Sequence, residues 1–376
     1  MNDAESFTIV EPSSAPIPSH EEKHVAPVNL EFESVRSATV VGIDIGSGCA
    51  KAAVLEGNAR SKSIVVRESA LLPIEDPAQP FATTLRLLLA KLQTRSRDCA
   101  LATWPPSAQV RFIESNGAYA GRVRRELTAP EATDFTVTDT PETTTEADHV
   151  FDASPIPGSK SPGSAAKMLE CGILRVDLDL IHHAFKEVRR TLRLVQLAPV
   201  SLFNAFAISQ PEIATRESYF LVDIGKRRTT LIAGAQGAMR LIRVVDLGWD
   251  YVAEPLELEF GTECRGQLQS LPVDDMDVRS ATADAMQRLS LEIERSLDHL
   301  HRDEHYARPI RYYISGPLTP ESLPIQTLST HLAIPAMTWN PLRRAAAGKR
   351  ALAEYHLLEE LPRLPAAAGA ALQYLV

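Results

Sequence analysis

A strand–turn–strand unit occurs twice in the sequence, and this internal repeat constrains the fold more than any other feature. The first copy, VVGIDIGSGCAKAAVLEGN, begins at Val40, and the second, YFLVDIGKRRTTLIAGAQG, begins at Tyr219. In each copy an apolar strand ends in Asp-Ile-Gly, a short polar turn follows, and a second strand begins near a Lys or a Thr. A third apolar strand then follows in each half of the chain. A unit repeated at this distance predicts two similar lobes.

The residues of the repeated turn are those that phosphate binding requires. Glycine lets the backbone bend sharply and approach a ligand closely, and successive N–H groups in such a turn can cradle phosphate oxygens. The carboxylates of Asp44 and Asp223 end the two strands, where each could hold Mg²⁺ through water. Lys51 could add a positive charge. One Asp-Ile-Gly is weak evidence because any hairpin could carry it, but two copies in matched settings favour a phosphate site.

Several further segments extend the pattern, and together they resemble the actin, sugar-kinase and heat-shock-chaperone superfamily. Within it the chain is similar to the PilM family, the actin-like proteins of type IV pilus assembly in the PilM and FtsA branch. The similar segments are the hairpins at 40–56 and 219–248, the helix at 291–300, the strand and turn at 312–323, and the closing segments 339–342 and 364–375. The resemblance implies an α/β fold with two ribonuclease-H-like (actin-like) lobes and a small inserted subdomain.

The resemblance and the composition together predict the domain boundaries. Residues 1–36 are rich in proline and charge and are predicted to be a disordered tail. Residues 128–167 are rich in Thr, Pro, Ser and Gly, so burial cannot offset their ordering entropy and we predict a flexible loop. The predicted division is lobe 1 at 37–103 and 199–212, the inserted subdomain at 104–198, and lobe 2 at 213–376 with the closing helix. That closing helix could also pack back on lobe 1.

Apolar periodicity predicts the main helices. One stripe runs from Leu180 to Leu192, with Asp179 placed to cap it. Other helices are predicted at 82–92, 201–208, 286–300, 325–332 and 364–375.

The resemblance also assigns roles to single residues. Gly46, Ser47, Gly48 and Lys51 would line the first phosphate turn, and Gly225, Lys226 and Thr229 the second. Asp44 and Asp223 would position Mg²⁺ through water, Glu292 and Arg295 would flank the adenosine of ATP, and Gly316 would underlie its purine. The position that should activate water holds only Asn204. Asparagine is a poor general base, so we expect at most a weak ATPase.

Simpler interpretations of the same residues stay open at this stage. Each aspartate could bond its own turn backbone, and Lys51 could be an edge-strand charge kept in solvent. Glu292 and Arg295 are three residues apart and could form a surface pair on a helix.

The charge and the apolar runs restrict the partners. A net charge of −9 and a pI near 5.6 argue against general nucleic-acid binding. The apolar runs are too short to cross a bilayer and the N-terminus is acidic, so we expect a cytoplasmic protein without direct membrane insertion.

The resemblance implies a scaffold for pilus assembly that binds ATP. Its partner would be a PilN-like inner-membrane protein, whose N-terminal cytoplasmic peptide docks between the first lobe and the insert. The scaffold would form a homo-oligomeric ring held at the inner membrane by that partner. Three alternatives remain: an FtsA-like cell-division filament protein, the cytoplasmic domain of a GspL-like type II secretion protein, and a sugar-kinase-type phosphotransferase.

Overall fold

The computed structural model describes residues 34–76, 78–115, 148–156, 166–261, 276–301, 306–317, 322–347 and 360–376. The predicted tail therefore lies outside the described residues except for its last three. Those three correct the prediction. Val35 is buried against the first lobe, and the N–H of Arg36 donates to the carbonyl of Leu375 at 2.8 Å. An apolar side chain and a backbone partner order this end of the predicted tail.

Fourteen strands and eight α-helices are used below, all within the described ranges. The strands are β1 Ala38–Ile45, β2 Cys49–Asn58, β3 Ser63–Pro73, β4 Asp98–Thr103, β5 Gln109–Ser115, β6 His149–Pro155, β7 Ala166–Leu174, β8 Thr191–Leu197, β9 Ser218–Ile224, β10 Thr229–Ala235, β11 Ala238–Val245, β12 Tyr312–Ser315, β13 Ala336–Thr338 and β14 Ala346–Ala347. The helices are α1 Phe81–Ala90, α2 Arg175–Glu187, α3 Ala198–Ser209, α4 Pro211–Arg216, α5 Trp249–Phe260, α6 Met276–Leu300, α7 Leu323–Leu332 and α8 Pro365–Leu375.

Two large sheets repeat one strand arrangement, which confirms the predicted fold class. The first sheet has the order β14-β3-β2-β1-β4-β8 and the second the order β11-β10-β9-β12-β13. In each, three antiparallel strands are followed by two parallel ones. The strands that carry the two aspartates, β1 and β9, occupy the same central place in their sheets.

A third, antiparallel sheet of order β5-β7-β6 lies within the range predicted for the inserted subdomain. Its strand β6 corrects part of the predicted flexible loop, because residues 149–155 pair with β7 along their whole length. The other residues of that loop lie mostly outside the described ranges. The segment contains Val150 and Phe151, which favour a strand, although the flanking composition is that of a loop.

The predicted helix at Leu180–Leu192 is wrong at both ends. Helix α2 begins earlier, after Leu174, so Asp179 lies inside the helix and does not cap it. The helix ends at Glu187. Two residues later, Arg189 takes a left-handed backbone conformation with φ of 55°. The residues from Thr191 to Leu197 form β8, which pairs in parallel with β4 of the first sheet. The apolar residues at 188 and 192 continue the helical spacing by coincidence.

The first lobe is built from distant parts of the chain. Helices α1 and α2 cover one face of its sheet, and α8 covers the other. Both β8 and α2 fall within 104–198, the range predicted for the insert, and α8 falls within 213–376, the range predicted for lobe 2. All three contact the first sheet, and α8 also packs on α3 while α2 also contacts β7.

Two glycines set how closely α8 approaches the first lobe. A Cβ on Gly42 of β1 would lie 2.0 Å from the carbonyl oxygen of Ala367, and one on Gly369 would lie 1.8 Å from the carbonyl oxygen of Ser201 in α3. The helix therefore rests on bare backbone at both positions. In the described part of the chain, no helix is long and apolar enough to span a membrane.

Candidate functional site

An ion pair lies at the carboxyl end of β1. Asp44 and Lys51 are direct neighbours in the register of β1 and β2, and Lys51 Nζ lies 2.7 Å from Asp44 Oδ2. The side chains are 11% exposed for Asp44 and 21% for Lys51. A short, mostly buried pair of this kind fixes both side chains. Lys51 is therefore not a free solvent-facing charge.

Asp223 belongs to the same cluster although it comes from the second lobe. Burial by itself lowers the pKa of Lys51, but the charges of Asp44 and Asp223 raise it above its ordinary value. Burial raises the pKa of Asp223, and the charge of Lys51 offsets only part of that rise. A second partner holds Asp223 in place, since the Ser315 hydroxyl donates to Asp223 Oδ1 at 2.5 Å. Lys51 is thus ion-paired with Asp44, and its charge also acts on Asp223 of the other lobe.

The two hairpin turns touch each other beside this cluster. A Cβ on Gly48 would lie 2.6 Å from Cδ of Lys226, so the aliphatic stem of the lysine lies on the glycine. Gly46 closes the first turn by donating its N–H to the carbonyl of Cys49 at 3.2 Å. Ser47 is exposed at the tip of this turn.

The first residues of α5 donate hydrogen bonds to the second turn. The N–H of Gly225 donates to the carbonyl of Arg228 at 2.8 Å. The N–H groups of Trp249 and Asp250 donate to the carbonyls of Gly225 and Lys226, each at 2.8 Å. These bonds fix the backbone of the turn and use the first donors of the helix.

Thr229, at the start of β10, is fully buried. Its hydroxyl donates to the carbonyl of Leu247 at 2.6 Å. This residue therefore anchors the base of the second turn to the end of the following strand.

The residues predicted to surround the adenosine are engaged in contacts of their own. Glu292 forms ion pairs with Arg243 of β11 and with Arg295, the latter at 2.5 Å. Gly316 has φ of 113°, a conformation that favours glycine, and its N–H donates to the carbonyl of Pro362 at 2.9 Å. Within the described residues, no hydrogen bond or ion pair joins Glu292, Arg295 or the partly buried Asn204 to the aspartate cluster.

The arrangement fits a magnesium–phosphate group better than it fits an adenosine. Two carboxylates and an ammonium group converge beside two glycine turns, and carboxylate oxygens are the ligands that Mg²⁺ prefers. Gly46 and Gly225 use their N–H groups inside their own turns, and the lack of a side chain at each lets a ligand approach the turn backbone closely. On the adenosine side, Glu292 is already neutralised by two arginines.

Sequence reasoning missed Ser315 as a site residue. It is the last residue of β12 and lies opposite Asp223 in the parallel register of β12 and β9. The only sequence signal is a polar residue that ends the apolar run YYIS. The strand pairing that places it beside Asp223 joins residues from distant parts of the chain.

The repeated strand order of the two sheets defines an actin-like fold with two lobes. Among solved structures, the chain is similar to a PilM–PilN type IV pilus biogenesis complex, with a TM-score of 0.73, 18% identity, and coverage of 90% of this chain and 99% of that one. It is also similar to the ethanolamine utilization protein EutJ from Carboxydothermus hydrogenoformans, with a TM-score of 0.51, 13% identity, and coverage of 90% and 92%. No family model matches the sequence, and no curated protein matches it.

Proposed function

We propose that this protein is a cytoplasmic actin-like scaffold for the assembly of a type IV pilus or a related machine. The observation that carries the proposal is the extent of the structural similarity to the PilM chain, which spans 99% of that chain. Because the similarity covers nearly the whole of that chain, it includes both lobes and is not limited to the two phosphate-turn hairpins. At 18% identity the similarity is one of fold.

The proposed partner is a PilN-like protein of the inner membrane. PilM is found with PilN in the similar structure. In the three-stranded sheet of this chain, β5 and β6 are the outer strands, and an extended peptide can add to such an edge or lie along the groove beside it. We propose that the N-terminal cytoplasmic peptide of the partner docks between this sheet and the first lobe. The partner would hold a ring of scaffold copies at the membrane.

The two hairpin turns face each other across a cleft between the lobes. We propose that this cleft binds ATP with Mg²⁺. Support comes from the cluster of Asp44, Lys51 and Asp223, which unites both hairpins at one point. Bound nucleotide would act by favouring one arrangement of the two lobes. We expect at most slow hydrolysis, because Asn204, at the position predicted to activate water, is a poor general base.

Two measurements test the proposal separately. A ligand that binds only the folded state raises the melting temperature, so Mg-ATP should stabilise the unaltered protein and should not stabilise Asp44→Ala or Asp223→Ala. Arg67→Gln serves as the control, because its ion pair with Glu56 is exposed on the strand surface. The absence of any shift in the unaltered protein would contradict nucleotide binding.

The scaffold role is tested with the partner peptide. The N-terminal peptide of a PilN-like inner-membrane protein, labelled with a fluorophore, should bind the full chain, and a scrambled peptide should not. Equal binding of both peptides, or of neither, would contradict the pilus interpretation even if ATP binds.

A further inference from the structure

The segment before α8 places Arg363 beside the cleft between the two lobes. Leu375, at the end of α8, lies against Gly57, near the carboxyl end of β2. A Cβ on Gly57 would be 3.1 Å from Leu375 Cδ2. Ala367, nearer the start of α8, lies against Gly42 of β1. Because Gly57 pairs with Ala38 at the beginning of β1, the helix runs antiparallel to β1. Its start therefore points toward Asp44.

The rise per residue in helices and strands indicates which residue of β1 lies beside Arg363. Arg363 ends a short 3-10 turn just before α8, and the four residues from Ala367 back to Arg363 span about 6–8 Å in α-helical or 3-10 geometry. Two residues of strand, from Gly42 forward to Asp44, span about 6.6 Å. The backbone of Arg363 thus lies at the level of Asp44, on the sheet face that α8 covers.

Two hydrogen bonds hold this segment in position, one from each lobe. The hydroxyl of Ser69 in β3 donates to Glu360 Oε2 at 2.8 Å, and the N–H of Gly316 donates to the carbonyl of Pro362 at 2.9 Å. Arg363 follows directly and is only partly exposed. Its position is therefore fixed by both sides of the cleft.

The charge of Arg363 acts on the first phosphate turn. Burial raises the pKa of the Cys49 thiol, and the positive charges of Lys51 and Arg363 offset part of that rise. Among the residues that the structure describes, neither a hydrogen bond nor an ion pair engages the guanidinium of Arg363 or the ammonium of Lys226. The cleft thus holds three cations near two carboxylates, in a chain whose net charge is −9.

We propose that Arg363 is a phosphate-binding residue of the cleft and contacts the terminal phosphates of a bound nucleoside triphosphate. A planar guanidinium suits phosphate oxygens because it can donate two parallel hydrogen bonds. The proposal rests on the nucleotide binding proposed above and adds a residue from outside both hairpins. It also assigns the closing segment a role in sensing how many phosphates the nucleotide carries.

Binding assays on the full chain test this role. Titration calorimetry with ATP, ADP and AMP in the presence of Mg²⁺ should show that Arg363→Gln weakens ATP binding about tenfold or more, the loss expected for one charge-assisted hydrogen bond. Binding of AMP should not change, and Arg363→Lys should give an intermediate affinity for ATP. The matched control is Arg36→Gln, because Arg36 lies over the Tyr374 ring at the opposite end of α8.

A second measurement uses the unaltered protein and does not depend on the folding of a variant. Phenylglyoxal modifies accessible arginines, and mass spectrometry locates the product. Mg-ATP should slow the modification of Arg363 and leave that of Arg36 unchanged. Equal ATP affinity of the unaltered protein and Arg363→Gln, or no protection by Mg-ATP, would overturn the role of Arg363 alone. A protein that binds no nucleotide at all would overturn this role together with the proposed cleft ligand.

Discussion

Gly48 and Lys226 are in contact where the two hairpin turns meet, and no side chain larger than hydrogen fits at position 48. A Cβ there would lie 2.7 Å from Lys226 Cβ as well as 2.6 Å from its Cδ. The lysine cannot avoid the clash by moving only its tip, so the two turns would have to separate.

Gly48→Ala is therefore expected to lower the free energy of unfolding by about 1–3 kcal/mol, the usual cost of overpacking. Urea denaturation followed by circular dichroism measures this. Gly46→Ala is the matched control in the same turn, because its Cβ would meet nothing closer than the Cys49 carbonyl oxygen at 3.5 Å. Equal losses in the two variants would contradict a close contact between the turns.

Lys51→Met tests the lysine of the aspartate cluster. The change leaves Asp44 and Asp223 without their counter-ion, so the expected loss is about 1–3 kcal/mol, less than for a fully buried pair because Lys51 is partly exposed. The pKa of Lys51 is raised, so its contribution is complete below the ordinary value of 10.5 and disappears as the pH rises through the folded-state pKa. Denaturation at several pH values measures both effects.

The control for Lys51→Met is Arg67→Met, which removes an ion pair with both side chains more than 40% exposed. Such a pair contributes at most about 1 kcal/mol. A loss for Arg67→Met as large as that for Lys51→Met would refute a special role for the buried lysine.

Asp223→Asn is expected to stabilise the nucleotide-free protein at neutral pH. Burial raises the pKa of Asp223, so the folded state disfavours the ionised carboxylate, and that cost is fully present above the folded-state pKa. It fades as the pH falls toward the ordinary value of 3.8. The asparagine oxygen can still accept the hydrogen bond from Ser315. The melting temperature of the variant should exceed that of the unaltered protein at pH 7 and converge with it in acid.

The same variant should lose the stabilisation by Mg-ATP, since an amide is a weaker magnesium ligand than a carboxylate. Such a stability gain at the expense of binding is typical of functional residues. A lower melting temperature at pH 7 would mean that the attraction to Lys51 outweighs the burial cost.

Thr229→Val tests the anchor beneath the second turn. The change keeps the shape of the side chain but leaves the Leu247 carbonyl without the hydroxyl that donates to it. The expected loss is about 1–2 kcal/mol. Thr230→Val is the control, because the neighbouring threonine faces the other side of β10 and is partly exposed. Urea denaturation should find a clearly smaller change for it, and a similar change would contradict the anchor.

Part of the fold could be predicted because its signals are local. The hairpins at Asp44 and Asp223 consist of apolar strands joined by short polar turns, and the structure has them close to the predicted bounds. Helix α8 was predicted within one residue, since a proline begins its run of alanines and leucines. Local propensity and tertiary packing agree in these segments.

The rest depends on contacts between distant parts of the chain. The strand β8 was hidden because its apolar residues happen to continue the spacing of α2, and only the pairing with β4 reveals it. The bond between Ser315 and Asp223 depends on parallel register, and the position of Arg363 depends on where α8 packs. Periodicity identifies a helix but does not say which sheet it covers.

The close fit of α8 on β1 also has a consequence for how the protein is made. Most strands of the first sheet are translated well before α8, the helix that covers one of its faces. Until that helix is made, the apolar side chains on that face, such as Val40 and Leu55, have no cover from α8. We expect the nascent first lobe to bind chaperones until residues 365–375 emerge, and the two ends of the described chain to become protease-resistant together.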